Sequence, residues 1–369
     1  MTINFQIPSL AALLGASVLA LAPVAASAAE TLNWVTYKAK GAGDPQAITT
    51  QWFADELERR TDGEYKIRIH WGGSVAGPKE IPTAIENGTG DMGDVITPYF
   101  PDLLPINNAI SFHVPQPHSS IELGLLMTYW HEVFPAFSEE LARYNMIAVG
   151  MRPLESYGIL CTKPVCSVEE FKGLRVRSYG HALPAVVEAL GAVPVAMSTN
   201  DTYEGLSRGI IDCSPVGPTL ARGWKFDEVA KYYIDVPLGA SWGHLINMNK
   251  AKFDSLPKEV QLEIKSIGSE YLVRYTTEML KQDVEIRKAW KGELGVEFIT
   301  IDGAAFNKAM LDDAGVQKVR ADWVAKVQAA GFEPDAIVEV LTAKYAEICE
   351  SHRNLSTVEM LRQLSFQTS

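Results

Sequence analysis

The sequence has 369 residues, 47 % of them apolar and 21 % charged, with a formal net charge of −12. That length accommodates two lobes, each with its own core, and the composition is that of an ordinary water-soluble globular protein. No cluster of Lys and Arg provides a footprint for nucleic acid or an anionic membrane, so neither is expected as a partner.

Residues 1–28 stand apart from the fold. The apolar run Leu10–Val24 is followed by Ala26-Ser27-Ala28, which reads as a secretory signal peptide cut after Ala28. No Lys or Arg precedes Lys38, a departure from the usual pattern. The alternative, an uncleaved anchor, fits less well: the run is about 15 residues, is broken by Gly15 and Pro23, and falls short of the roughly 20 a span needs. The first lobe, expected over 29–155, opens with a strand at Leu32–Tyr37 and a helix at Gln46–Arg60 with Trp52, Phe53 and Leu57 on its apolar side. Tyr65–Trp71 alternates as a strand, Lys79–Asn87 is a helix, and Met92–Thr97 is a third strand. Pro98–Pro117 is rich in Pro with no clear period and reads as a loop over the lobe. Helices follow at Ile121–Phe134 and Phe137–Tyr144, then a strand at Met146–Met151 that ends at Arg152.

The second lobe, expected over 156–250, starts with Tyr157–Thr162, read as a hinge crossing. Leu174–Ser178 is a strand and His181–Leu190 a helix that stops at Gly191. Val193–Val195 is a short strand, Asn200–Arg208 a helix capped by Asn200 or Thr199, and Ile210–Cys213 a third strand. Connections this short make a parallel α/β unit. The first lobe opens with the same order, and the junctions echo: AIENGTGDM in one, GLSRGIIDC in the other. Two such halves facing each other make a cleft. Ligands of open sheets sit outside the carboxyl ends of the strands, where Arg177 lies while Leu174 and Val176 face the core. A guanidinium on a rigid strand end suits bidentate capture of a carboxylate; the alternative is a surface ion pair.

Ser214-Pro215-Val216-Gly217-Pro218-Thr219 follows as a loop. Tyr232–Val236 and Trp242–Asn249 read as strands returning to the hinge. Trp242 could stack on a ligand ring or serve as a core residue, and Tyr99, Phe112 and Tyr157 could add aromatic wall. His113 and His244 lack i, i+4 partners, so no metal site is expected. Residues 251–369 are read as a long spanning helix, Pro257–Lys291, with later helices packing on both lobes. At about 1.5 Å per residue that helix runs some 50 Å, longer than one lobe is wide. A late strand at Val296–Ile301 and helices at Asp302–Leu311, Val316–Ala330 and Pro334–Cys349 complete the chain. Cys161 and Cys166 flank a turn and could form a small-loop disulfide. Cys213 reads as a core thiol, and Cys349 has no assignment.

The runs FKGLRVR, ALGAVPVAM and YEGLSRGIIDC resemble the signature of solute receptors of tripartite ATP-independent periplasmic (TRAP) transporters, DctP type. The resemblance is carried by Lys172, Gly173, Leu174 and Arg177, then Leu190, Gly191, Ala192, Pro194 and Met197, then Tyr203, Leu206, Gly209 and Asp212. GGSVAGPKEIPTAIENGTGDMG matches the corresponding lobe-one segment. The resemblance implies a two-lobed α/β periplasmic-binding-protein fold with hinge strands and a long helix. It further implies a periplasmic receptor, not an enzyme and without a cofactor, that captures a small organic acid and delivers it to ion-driven membrane subunits. Arg177 becomes the carboxylate clamp. Arg152 is a second ligand candidate, or pairs with Glu155. Ser214, Pro215, Val216 and Gly217 stand where many members carry a Gln-Glu-Asn type sequence, so the pocket is less polar here. An aromatic or hydrophobic monocarboxylate, or a 2-oxo acid, is expected ahead of a sugar acid or C4-dicarboxylate. A receptor feeding a sensor kinase is a rival reading. A secreted enzyme is another, although no Gly-x-Ser-x-Gly, HExxH or phosphate loop is present.

Overall fold

The computed structural model describes residues 29–41, 44–112, 119–236, 238–240 and 243–352, with positions 1, 355, 359 and 360. The expected signal peptide, His113 and Trp242 lie outside the described residues, as do the side chains of Phe112 and Cys349. In chain order the first elements are β1 (Glu30–Val35), α1 (Pro45–Arg60), β2 (Tyr65–His70), α2 (Ile81–Glu86), β3 (Met92–Val95), α3 (Ser120–Val133), α4 (Pro135–Ala142) and β4 (Met146–Arg152). The middle of the chain forms β5 (Gly158–Cys161), β6 (Arg175–Ser178), α5 (Ala182–Ala189), β7 (Val193–Ala196), α6 (Thr199–Ser207), β8 (Cys213–Val216), α7 (Pro218–Gly223), α8 (Phe226–Val229), β9 (Tyr232–Asp235) and β10 (His244–Asn249). It ends with α9 (Lys250–Ser255), α10 (Lys258–Lys291), β11 (Glu297–Thr300), α11 (Gly303–Asp312), α12 (Ala314–Ala329) and α13 (Pro334–His352).

These strands make two sheets, ordered β2-β1-β3-β10-β4 and β11-β9-β5-β8-β6-β7. In each sheet the first strand of a parallel trio sits between the other two, and an antiparallel strand from elsewhere in the chain flanks the third. The internal echo of the sequence is therefore a repeated topology. Each sheet is covered on both faces. Val35, Val95, Leu126, Trp130 and Leu245 pack on one side of the first sheet, and Leu32, Trp34, Phe53, Ile264 and Tyr271 on the other. In the second, Val176, Val187, Cys213 and Ile234 form one core, and Leu160, Val216, Phe226, Tyr233 and Trp290 the opposite one.

The chain crosses between the sheets after β4 and again between β9 and β10. The crossings meet in an antiparallel bridge, Ser156 to Ala240, and Tyr157 N donates to Gly239 O at 2.9 Å. β10, read from sequence with the second lobe, pairs with β3 and β4 in the first sheet. A third connection is α10. It buries Ile264, Ile267 and Tyr271 against the first sheet and Trp290 in the second lobe's core. Its Gly268 lets the helix touch β4: a Cβ there would lie 1.6 Å from Val149 O. Gly268→Ala is expected to cost about 3 kcal/mol in chemical denaturation, because two backbones would have to separate.

Two expectations are corrected. The strand expected at Ile210–Cys213 starts at Cys213 and runs through Pro215 to Val216. β6 pairs with β8 only at Val176–Cys213, so the missing N–H of Pro215 interrupts no ladder on that side. The disulfide is Cys161–Cys213, not Cys161–Cys166, and Cys166 is free and exposed. β5 and β8 are antiparallel with Cys161 directly opposite Cys213, Cα atoms 4.1 Å apart, so the bridge closes across one rung.

Candidate functional site

Arg177 is the third of the four residues of β6 and is 1 % exposed. Nε donates to Met197 O at 3.2 Å. Nη2 donates to Thr199 Oγ1 at 3.0 Å and to Tyr99 Oη at 3.3 Å. The guanidinium lies over the Tyr179 ring, 4.6 Å from its centroid. Nη1 is buried with no partner, and among the described residues no carboxylate pairs with Arg177. Its neighbour on the strand, Arg175, faces solvent and is satisfied by Asp212. A buried cation without a counter-ion is costly, and an anion arriving from outside would offset that cost.

Three tyrosines wall this guanidinium. Tyr99, on a 3-10 turn just after β3, reaches across from the first lobe and meets Tyr179 edge to face at 5.7 Å. Tyr179 Oη donates to Tyr157 Oη at 3.5 Å. Burial, and then Tyr179, holds the Tyr157 hydroxyl well above its usual range, so it stays protonated. Tyr99 thus bonds Arg177 directly, and Tyr157 is joined to it through Tyr179. Tyr179 and Thr199 were not singled out from sequence: a tyrosine beside a strand end and a threonine at a helix start have ordinary structural roles, and no motif marks them.

A second polar knot is buried at the end of β4. Arg152, 2 % exposed, donates from Nη1 to Tyr275 Oη at 3.2 Å and from Nη2 to His244 Nδ1, its rung partner on β10. Burial, then the charges of Arg152 and Lys38, keep His244 well below its usual pKa, so the ring is neutral and Nδ1 can accept. Tyr37 Oη lies 3.5 Å from the same nitrogen, and Trp34 Nε1 donates to buried Asp94 at 3.3 Å. The alternative pairing of Arg152 with Glu155 does not occur. The Glu155 carboxylate instead accepts N–H bonds from Thr219 at 2.9 Å and Leu220 at 2.8 Å. A cavity of about 20 Å³, room for one water, lies between Arg152, Glu155, Lys38 and Tyr275.

Burial pushes the Glu155 carboxyl up to about 7, above an unfolded value near 4.5. The folded state therefore holds an extra proton between these values, and stability falls as pH rises from about 4.5 to about 7. Glu155→Gln is expected to remove that contribution, so the wild-type minus variant stability difference should fall between about pH 4.5 and about pH 7 in pH-dependent denaturation.

The remaining candidates lie elsewhere. Val216 packs into the second lobe's core with Phe226 and Trp290, and Ser214 is fully buried on the same strand face. Pro215 is opposite Ile159 in the ladder. Gly217 begins α7, and a Cβ on it would strike the Glu155 side chain at 2.1 Å. A groove of about 320 Å³ is lined by Lys38, Asp44, Arg222, Trp224 and Gln282. Its charges already pair, Lys38 with Asp44 at 2.6 Å and Arg222 with Asp227 at 3.1 Å, which leaves none for an acid. Among the described residues no three His, Cys, Asp or Glu side chains are grouped to hold a metal, and no helix is long and apolar enough to cross a membrane.

Two lobes, paired crossings and a buried, uncompensated arginine at their junction define a cleft-type receptor. Residues 37–314 match the bacterial extracellular solute-binding proteins of family 7 (DctP), and the chain belongs to that family, the solute receptors of TRAP transporters. It is 26 % identical over 275 residues to the 2,3-diketo-L-gulonate-binding periplasmic protein of Escherichia coli, covering 72 % of this chain and 81 % of that one. Identity to the C4-dicarboxylate-binding periplasmic protein of Rhodobacter capsulatus is 23 % over 337 residues, 88 % and 98 % of the two chains. The fold is shared with a Bordetella pertussis extracytoplasmic solute receptor that binds pyroglutamic acid (TM-score 0.71, 20 % identity, 86 % of this chain and 100 % of the other). It is shared too with a Desulfovibrio salexigens TRAP solute-binding protein with bound orotic acid (TM-score 0.75, 17 % identity, 86 % and 99 %).

Proposed function

We propose that the protein, exported to the periplasm with removal of residues 1–28, captures a small organic acid between its lobes and hands it to ion-driven TRAP membrane subunits. The observation that carries this reading is the Arg177 guanidinium, buried, fixed by three hydrogen bonds, and left with one bare N–H edge and no counter-ion. Arg177 is the carboxylate clamp. Tyr99, Tyr157 and Tyr179 wall the ligand body, and the lobes close about the paired crossings, where Ser156 bridges Ala240. Arg152 supports the cleft floor through Tyr275 and His244. The favoured ligand is a monocarboxylate with a flat or apolar body, such as an aromatic acid or a 2-oxo acid, because the wall around Arg177 is tyrosine. Pyroglutamate and orotate, bound by two structural relatives, are small ring acids of this kind. Other structural relatives hold glucuronate or galacturonate.

A thermal-shift screen of the purified protein against monocarboxylates, 2-oxo acids, dicarboxylates and uronates tests the reading. A ligand that binds only the folded state raises the melting temperature, by about 2.7 kcal/mol of added stability at a hundred times Kd. One or more flat monocarboxylates should give the largest shift. A response confined to uronates would overturn the ligand class, and no response to any acid would overturn the receptor assignment.

A further inference from the structure

The lobes repeat one another in register as well as in topology. Rung Trp34–Met92 of the first sheet corresponds to rung Val176–Cys213 of the second. Just before each rung the same bond recurs: Asn33 N donates to Asp91 Oδ2 at 2.7 Å, and Arg175 N to Asp212 Oδ2 at 2.9 Å. Tyr37 and Tyr179 each stand three residues past that rung, so they hold equivalent positions. Each is met by an aromatic ring that follows the third strand of the other lobe's trio. Tyr99, after β3, meets Tyr179; Trp224, after β8, stacks on Tyr37 with ring centroids 6.3 Å apart and planes 4° from parallel. Trp224 packs against the cores of both lobes. Buried Lys38 brings its ammonium to 4.9 Å from the centre of the Trp224 ring. Gly223 leaves room for this approach, since a Cβ there would lie 2.6 Å from Asp44 Oδ2. Tyr99 bonds Arg177, whereas Trp224 leads through Tyr37 to His244 and the Arg152 knot.

We propose that Trp224 is a positioning residue for acid capture: its clasp on Tyr37 and Lys38 forms as the lobes close and holds them shut over the acid. Lobes that part about the crossings separate Trp224, in the second lobe, from Tyr37, in the first, so the stack belongs to the closed receptor. The clasp raises affinity without touching the ligand, by slowing its escape. This rests on the receptor reading, in which the lobes close on an acid.

The test uses Trp224→Ala, which removes the clasp, and Gly223→Ala, which wedges it, with calorimetric titration of pyroglutamate and orotate. Whichever acid binds wild type should bind both variants about tenfold more weakly, the worth of one aromatic stack and one cation–π contact. Their ligand-free melting temperatures should match wild type, which a core tryptophan would not allow. Acrylamide should quench Trp224 in the ligand-free protein, read as the fraction lost in Trp224→Phe, and bound acid should shield it. A Trp224 already shielded without acid, or acid affinity equal to wild type in both variants, would overturn the clasp. Failure of both acids to bind wild type would instead count against the ligand class, while quenching of the ligand-free protein still decides the clasp.

Discussion

Arg177→Ala is expected to weaken binding of the cognate acid at least a hundredfold, about 3 kcal/mol, because truncating one member of a desolvated charge pair strands the other. The ligand-free protein should respond in the opposite sense. Arg177 is 1 % exposed with no carboxylate partner and an unpaired Nη1, so Arg177→Met removes an uncompensated buried charge and should leave ligand-free stability unchanged or raised. A structural arginine would show the reverse pattern, with stability lost and affinity spared. Arg177→Lys keeps the charge but not the planar fork that spans Met197 O, Tyr99 and Thr199, and should recover little binding. Titration calorimetry and denaturation of the same three variants separate these outcomes.

Loss of the Cys161–Cys213 bridge is the largest stability change expected. The bond closes a separation of 52 residues, and loop-closure entropy of that size corresponds to about 4 kcal/mol on folding. The loop so closed contains β6, α5, β7 and α6, which means the whole Arg177 unit is tethered to the crossing strand β5. Cys161→Ala/Cys213→Ala should shift the denaturation midpoint by that amount. Reductant should destabilise wild type equally and leave the double variant unaffected, and Cys166→Ser should change neither.

Much of this was legible before the structure. The period-2 runs of β1, β2 and β6 and the long 3.6-residue period of α10 are local signals, and each placed its element within a residue or two. The place of Arg177 near the end of β6 was legible for the same reason, but spacing alone left a surface ion pair open, and its burial without a carboxylate partner depends on tertiary packing. What failed depended on register between distant strands. The disulfide follows from Cys161 and Cys213 sharing an antiparallel rung, and the His244–Arg152 contact from another. No spacing rule along the chain contains either. Pro215 was read into a loop because the unpaired side of β8, which tolerates it, is a tertiary fact. Thr199 was seen as a helix cap, but its contact with Tyr99 joins segments 100 residues apart and leaves no local signal.

The position of a bound acid tests the Arg177 clamp most directly. A crystal structure of the receptor with the acid that gives the largest thermal shift should place a carboxylate oxygen about 2.8 Å from Arg177 Nη1, at charge-assisted hydrogen-bond distance. An acid held elsewhere, with Nη1 still bare, would contradict it.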